Sequence, residues 1–216
     1  FTGKPDAAWI QSVAPDSNNV TVIQHHSFVK LPDGDYKPRS FDPRSGAISI
    51  SYMDYSTPID EKILKKNIIR HRLEKKFPEN DMSEAIEPII YYLDPGTPEP
   101  IRTALIDGAM WWNDAFESIG FIDAFQVKIL PENVDPMDCR YNVIQWVHRS
   151  TRGWSYGSNV SDPRTGEIIK GHVSLGSLRV RQDYLIAQSL IENPFLAQNK
   201  DKVLEMSLAR IRQLSA

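Results

Sequence analysis

Short apolar runs separated by Asp, Gly and Pro clusters occupy the first quarter of the chain. Val20-Thr21-Val22-Ile23 and Ala47-Ile48-Ser49-Ile50-Ser51-Tyr52 are the clearest. Such runs predict strands, so residues 1 to about 56 read as β-rich. Leu31-Pro32-Asp33-Gly34-Asp35 and Phe41-Asp42-Pro43-Arg44-Ser45-Gly46 are the turns between them; in the second, Pro43 presets φ and Gly46 supplies a positive φ. Residues 57–77 fit two patterns. Thr57-Pro58 looks like a helix cap and first position, while Asn67-Ile68-Ile69-Arg70-His71-Arg72-Leu73 fits a strand. Phe77 to Ile86, with a proline and several acids, reads as a linker, which divides the chain into residues 1–86 and 87–216.

From Glu87 the periodicity sharpens. Ile89-Ile90-Tyr91-Tyr92-Leu93 is a five-residue apolar run closed by Asp94-Pro95-Gly96, as expected for a buried strand and its turn. Thr97 and Pro98 then predict a helix over 98–119. Its apolar face is Ile101, Leu105, Gly108, Trp112, Ala115 and Ile119, and Gly120 ends it. Phe125–Leu130 and Tyr141–Val147 alternate as strands. Gly153–Val160, the turn Ser161-Asp162-Pro163-Arg164-Thr165-Gly166 and Glu167–Leu175 follow as a further hairpin. Two helices close the chain, about 178–191 and 201–216, the last with a stripe of Leu204, Leu208, Ile211 and Ser215 or Leu214. Asp-Pro-Arg-Ser/Thr-Gly occurs at 42–46 and 162–166, the same turn chemistry used twice. The last helical pattern reaches Ala216 with no cap, as expected of a chain cut within a helix or of a natural C-terminal helix that frays.

Composition narrows the chemistry. With 25 basic and 28 acidic residues the net charge is -3, which gives no basic field for a nucleic-acid backbone. The single cysteine, Cys139, excludes an intrachain disulfide and every C-x-x-C metal pattern. No apolar run reaches the length of a membrane-spanning helix, and Phe1-Thr2-Gly3-Lys4 is not a signal peptide. The basic run Lys62, Lys65, Lys66, Arg70, Arg72, Lys75 and Lys76 fits a solvated face or an anion site. Among the five histidines, adjacent His25 and His26 point to opposite faces of a strand, and a cross-strand pair of His148 and His172 is the one arrangement worth testing. With one cysteine, no Cys/His signature of a hydrolase occurs.

Read in order, the segments Phe41-Asp42-Pro43-Arg44, Tyr52-x-Asp54-Tyr55 and Arg70-His71-Arg72-Leu73-Glu74-Lys75-Lys76 resemble a known family. So do Tyr92-Leu93-Asp94-Pro95, Trp112-Asn113-x-Ala115-Phe116-Glu117 and Tyr156-Gly157-x-x-Val160-x-Asp162-Pro163-Arg164-Thr165-Gly166-Glu167-Ile168. The family is the bacterial Met-zincin-like zinc-dependent metalloproteases, large secreted proteins of Bacteroidetes type. The resemblance implies an α+β chain: a β-rich accessory region over 1–86, then over 87–216 the N-terminal part of a zincin-type catalytic domain. That part would be a twisted mixed sheet with a long helix packed on it, followed by two helices.

It also implies that Leu208 to Ala216 runs into an H-E-x-x-H helix, whose histidines hold zinc and whose glutamate polarises a zinc-bound water. None of those residues lies within 1–216, so this chain by itself is expected to hold no metal, to carry no catalytic residue and to be inactive. A peptide or protein substrate is implied, as is a secreted, periplasmic or cell-surface location. In such folds an edge strand pairs with the substrate backbone. Gly153, Trp154, Ser155, Tyr156, Gly157 and Ser158 are the candidate, because glycines admit a second backbone and the aromatics offer apolar contact, although hairpin packing explains the same residues. The competing reading is a non-catalytic binding or structural module.

Overall fold

A continuous apolar run such as Ile89–Leu93 can bury both of its faces only inside a sheet, and that is where it lies. The structure is a computed structural model that describes residues 14–16, 19–149, 154–193, 195–196 and 199–216. Ile89–Leu93 (β4) pairs in parallel with Phe125–Ile129 (β6) on one side and with Asn142–Val147 (β7) on the other. Ile168–Gly176 (β9) continues the parallel set beside β7, and Tyr156–Ser161 (β8) closes it antiparallel. The result is a five-stranded mixed sheet of order β6-β4-β7-β9-β8. The architecture is α+β.

Register aligns one apolar layer across the strands. Leu93 faces Ile144, Ile144 faces Val173, and Trp146 faces Leu175. Against this layer pack Ile101–Met110 (α1), through Ala104, Leu105 and Ala109, and Lys200–Ser215 (α4), through Ile211. The helices cross closely because Gly108 has no side chain: a Cβ there would lie 2.0 Å from the Arg212 carbonyl oxygen. Leu178–Ser189 (α3) joins α4 through the buried Asp183, which accepts from Arg179 Nε at 3.2 Å and Arg210 Nε at 3.0 Å. On the opposite sheet face Val143 is fully buried, and Lys170 Nζ donates to the carbonyls of Pro136, Asp138 and Tyr141, each at 2.7 Å.

The single helix expected over 98–119 is two. α1 starts at Ile101, and Trp112–Glu117 (α2) comes after a tight turn in which Trp111 N–H donates to Gly108 O at 3.2 Å. A three-residue turn rotates the next segment relative to a 3.6-residue helix. Trp112 and Ile119 therefore face solvent, while Phe116 stacks on Phe125. Thr97 does not cap the helix; it is fully buried and its hydroxyl finds no partner among the described residues. Gly120 ends the segment as expected, at φ +88°. In α4 the buried stripe is Val203, Ser207 and Ile211, with Leu208 beside it and Leu204 exposed.

The front of the chain is less regular than its pattern promised. Val20–Ile23 is exposed and forms no strand, whereas Ser49–Met53 (β1) and Leu64–Ile68 (β2) make an antiparallel hairpin. No helix forms over 57–77; the strand there is Leu64–Ile68, which shares only Asn67 and Ile68 with the expected strand Asn67–Leu73. Residues 77–86 are not a free linker: Ser83–Glu84 (β3) pairs in parallel with Phe121–Ile122 (β5), and Lys75 bridges Ala85. The basic run is not one face either. Arg72 pairs with Glu167 at 2.8 Å and Asp33 at 3.0 Å, Lys76 with Glu84 and Lys65 with Glu61. Arg70 stacks on Tyr36, and Lys75 donates to the Asn80 and Asp81 carbonyls.

Candidate functional site

The β8–β9 hairpin is built by the Asp162-Pro163-Arg164 turn. Asp162, fully buried, accepts from Arg164 N–H at 2.9 Å, Nε at 3.0 Å and Nη2 at 2.6 Å, which holds its carboxyl below the usual range. Gly166 completes the turn at φ +81°. Asp42-Pro43-Arg44 makes the same clamp with the same 2.9 and 3.0 Å bonds, so the two copies seen in the sequence share one geometry. A third, Asp138-Cys139-Arg140, is hidden in the sequence because it lacks the proline.

Beyond this turn β8 runs along the rim of the sheet, and every residue from Tyr156 to Val160 is exposed. Among the described residues no strand pairs with its outer side. Tyr156, Ser158 and Val160 lie opposite Ser174, His172 and Lys170, away from α1 and α4; Gly157 and Asn159 lie opposite Val173 and Gly171, on the helix side. A Cβ added at Gly157 would meet nothing within 4 Å, so this glycine leaves open space rather than relieving a crowded contact. From Trp154 to Ser161 the strand carries no charge. Its chemistry is that of free backbone donors and acceptors flanked by an exposed apolar stripe of Trp154, Tyr156 and Val160.

Of the six residues expected to hold substrate, Trp154, Tyr156, Gly157 and Ser158 are exposed along this rim. Ser155 is turned inward, its hydroxyl accepting from Gly176 N–H at 3.3 Å. Gly153 lies outside the described residues. Two positioning residues went unseen in the sequence. Arg149 reaches from the end of β7 to the Trp154 carbonyl at 2.8 Å and Ser174 Oγ at 3.2 Å, tying down the start of β8. Asn142 donates to Ile90 O at 2.9 Å and accepts from Gly171 N–H at 2.7 Å, locking three strands together. Its polar amide at the start of a mostly apolar strand was the available signal.

The histidines form no site. β7–β9 pairing sets His172 beside Val143, whereas His148 lies beyond Val147 and contacts Ser177 Oγ at 2.9 Å, so the cross-strand pair does not form. Among the described residues no three His, Cys, Asp or Glu side chains gather as metal ligands. His71 sits under the sheet edge-on to Tyr91, and burial pushes its pKa down to about 4. It separates two cavities. One, of about 480 Å³, lies where Asp33, Arg72 and Glu167 meet Glu87; the other, of about 370 Å³, lies among Tyr91, Trp112, Phe116 and Leu214 at the end of α4. In the first, Arg72 is ion-paired with Glu167 and the carboxylates of Asp33, Glu74 and Glu87 share the lining; the second is mainly apolar. No helix of the described residues is long and apolar enough to cross a membrane.

Comparison with known proteins reaches only the front of the chain. A family model described as a domain of unknown function, DUF5117, matches residues 2–76, which end just before β3. No curated protein and no solved structure matches the chain.

Proposed function

We propose that this chain forms the front of a secreted zinc-dependent metalloendopeptidase, in which β8 receives an extended peptide by main-chain pairing. The observation that carries this reading is the sheet itself: four parallel strands end in one antiparallel strand whose outer edge is bare and uncharged. A natural protein blunts such an edge with Lys, Pro or a covering segment unless something docks there. Backbone pairing tolerates many side-chain sequences, which suits a protease of broad specificity. In this reading the zinc ligands lie outside residues 1–216, and these residues contribute substrate positioning.

The test uses the full-length natural protein loaded with zinc. Proline at Ser158 removes a backbone donor from the exposed strand, and proline at Ser155 does so at its inward-turned start. The variant whose N–H points outward should lower kcat/KM for peptide cleavage at unchanged zinc content. Full peptide cleavage by both variants, folded and metal-loaded, would exclude β8 as the substrate strand.

A further inference from the structure

The hairpin of β1 and β2 offers a second bare edge, far along the chain from β8. Its hydrogen-bond phase is fixed at both ends: Ile69 N–H donates to Ile48 O at 2.9 Å, and Asp54 N–H donates to Ile63 O at 2.8 Å. Antiparallel bonds alternate, so Ile48, Ile50, Tyr52 and Asp54 bond inward to β2. Ser49, Ser51 and Met53 therefore aim their N–H and C=O groups at the outer edge. Among the described residues no strand takes them. β2 has no such freedom, because its far side is bonded to residues 39–41, with Ile68 N–H on Arg39 O and Phe41 N–H on Lys66 O.

Ala47 to Met53 contains no charge and no proline, the two devices that keep edges apart. Large apolar groups stand exposed along it: Ile48 at 72%, Tyr52 at 42% and Met53 at 52%. An occupant must supply an uncharged strand with matching alternation, and β1 itself does. We infer that β1 pairs with β1 of a second copy of this chain, antiparallel about a two-fold axis that passes between the two Ser51 residues.

That axis is perpendicular to the sheet and maps each face onto itself, so only a register centred on a residue is allowed. Centring on Ser51 uses all five residues of the strand. Ser51 meets Ser51 of the partner and Ser49 meets Met53, and these are the positions whose backbone groups point outward, so three pairs exchange both bonds. Ile50 meets Tyr52 on the other face, an aromatic and β-branched pair of the kind that stabilises sheets. The sheet becomes continuous through both hairpins. The inference stands apart from the protease reading, because it uses neither β8 nor a metal.

Sedimentation or light scattering of residues 1–216 over a dilution series tests it. The expected result is a concentration-dependent rise from the 24.6 kDa monomer towards twice that mass. Ser51→Lys sets two lysines against each other on the axis, next to Lys66, and should hold the chain monomeric; mixing Ser51→Lys with Ser51→Asp chains should restore the doubled mass. Ser158→Lys, on the β8 edge, should leave the dimer intact. A wild-type chain that stays monomeric, a dimer that survives Ser51→Lys, a mixture that fails to restore it, or a dimer abolished by Ser158→Lys would each overturn the assignment.

Discussion

Leu105 and Trp112 carry equal weight in the apolar pattern of their helix, yet they live in different environments. Leu105 is 1% exposed and sits in the core with Leu93, Ile144 and Ile211. Trp112 is 47% exposed and donates its indole N–H to the Ala216 carbonyl at 2.9 Å. Truncating a fully buried leucine removes its transfer free energy and leaves a cavity, so Leu105→Ala should cost about 2–5 kcal/mol. Trp112→Ala should cost distinctly less. Urea titration of both variants checks the order, and an equal loss would mean that the turn at Trp111 does not rotate Trp112 out of the core. The sequence could not have separated the two. Three-and-four spacing marks one face only while the helix is straight, and the tightening at Trp111 depends on packing against β6.

At the scale of elements, strands were more legible than helix contacts. β4, β6 and β7 lie within a residue of their predicted bounds, because the apolar run of β4 is closed by Asp94, that of β6 by Pro131, and that of β7 by the polar His148-Arg149 pair. The bare rim of β8 was also legible in its short, polar, glycine-bearing sequence. Arg149, which anchors that rim, was not, since its partners are backbone and a serine 25 residues away. The crossing of α1 and α4 was equally hidden, because it rests on the absence of a side chain at Gly108. In an exposed helix Gly→Ala gains roughly 1 kcal/mol of propensity. Here the new methyl would meet the Arg212 carbonyl at 2.0 Å and the Ser215 hydroxyl at 2.6 Å, and a backbone cannot swing away as a flexible side chain can. Gly108→Ala should therefore destabilise, net of propensity, by about 1–3 kcal/mol as α4 is pushed off α1. A raised melting temperature would show that the helices yield freely at their crossing.

For the whole molecule the decisive feature is the junction that the sequence pattern marks as a boundary. Contacts cross it in both directions: Arg70 N–H donates to Gly166 O, Ile168 N–H donates to Arg70 O, and Arg72 forms a bidentate pair with Glu167. Those partners are about a hundred residues apart, beyond any local pattern. His71 lies at the centre, lodged against Tyr91 between Arg70 and Arg72, and it supplies a pH test of this junction. Its pKa is about 4 in the folded chain against the ordinary 6.5, with burial as the cause. As pH falls below 6.5 the unfolded chain takes up the proton first, so the stability that neutral His71 contributes is whole above 6.5 and lost progressively down to 4. Between pH 7.5 and pH 5 that loss is about 2 kcal/mol. The clamped carboxylates of Asp42, Asp138 and Asp162, all held below their ordinary values, stay ionised through this window. His172, lowered by burial and by Lys170, adds a loss of the same sign, so a variant must isolate the contribution of His71. His71→Phe keeps a ring against Tyr91 and removes the proton site. Urea midpoints at pH 7.5 and pH 5 should fall less steeply for His71→Phe than for the wild type, by an amount corresponding to about 2 kcal/mol. Equal acid sensitivity in the two proteins would place His71 in water, with the front of the chain standing away from the sheet.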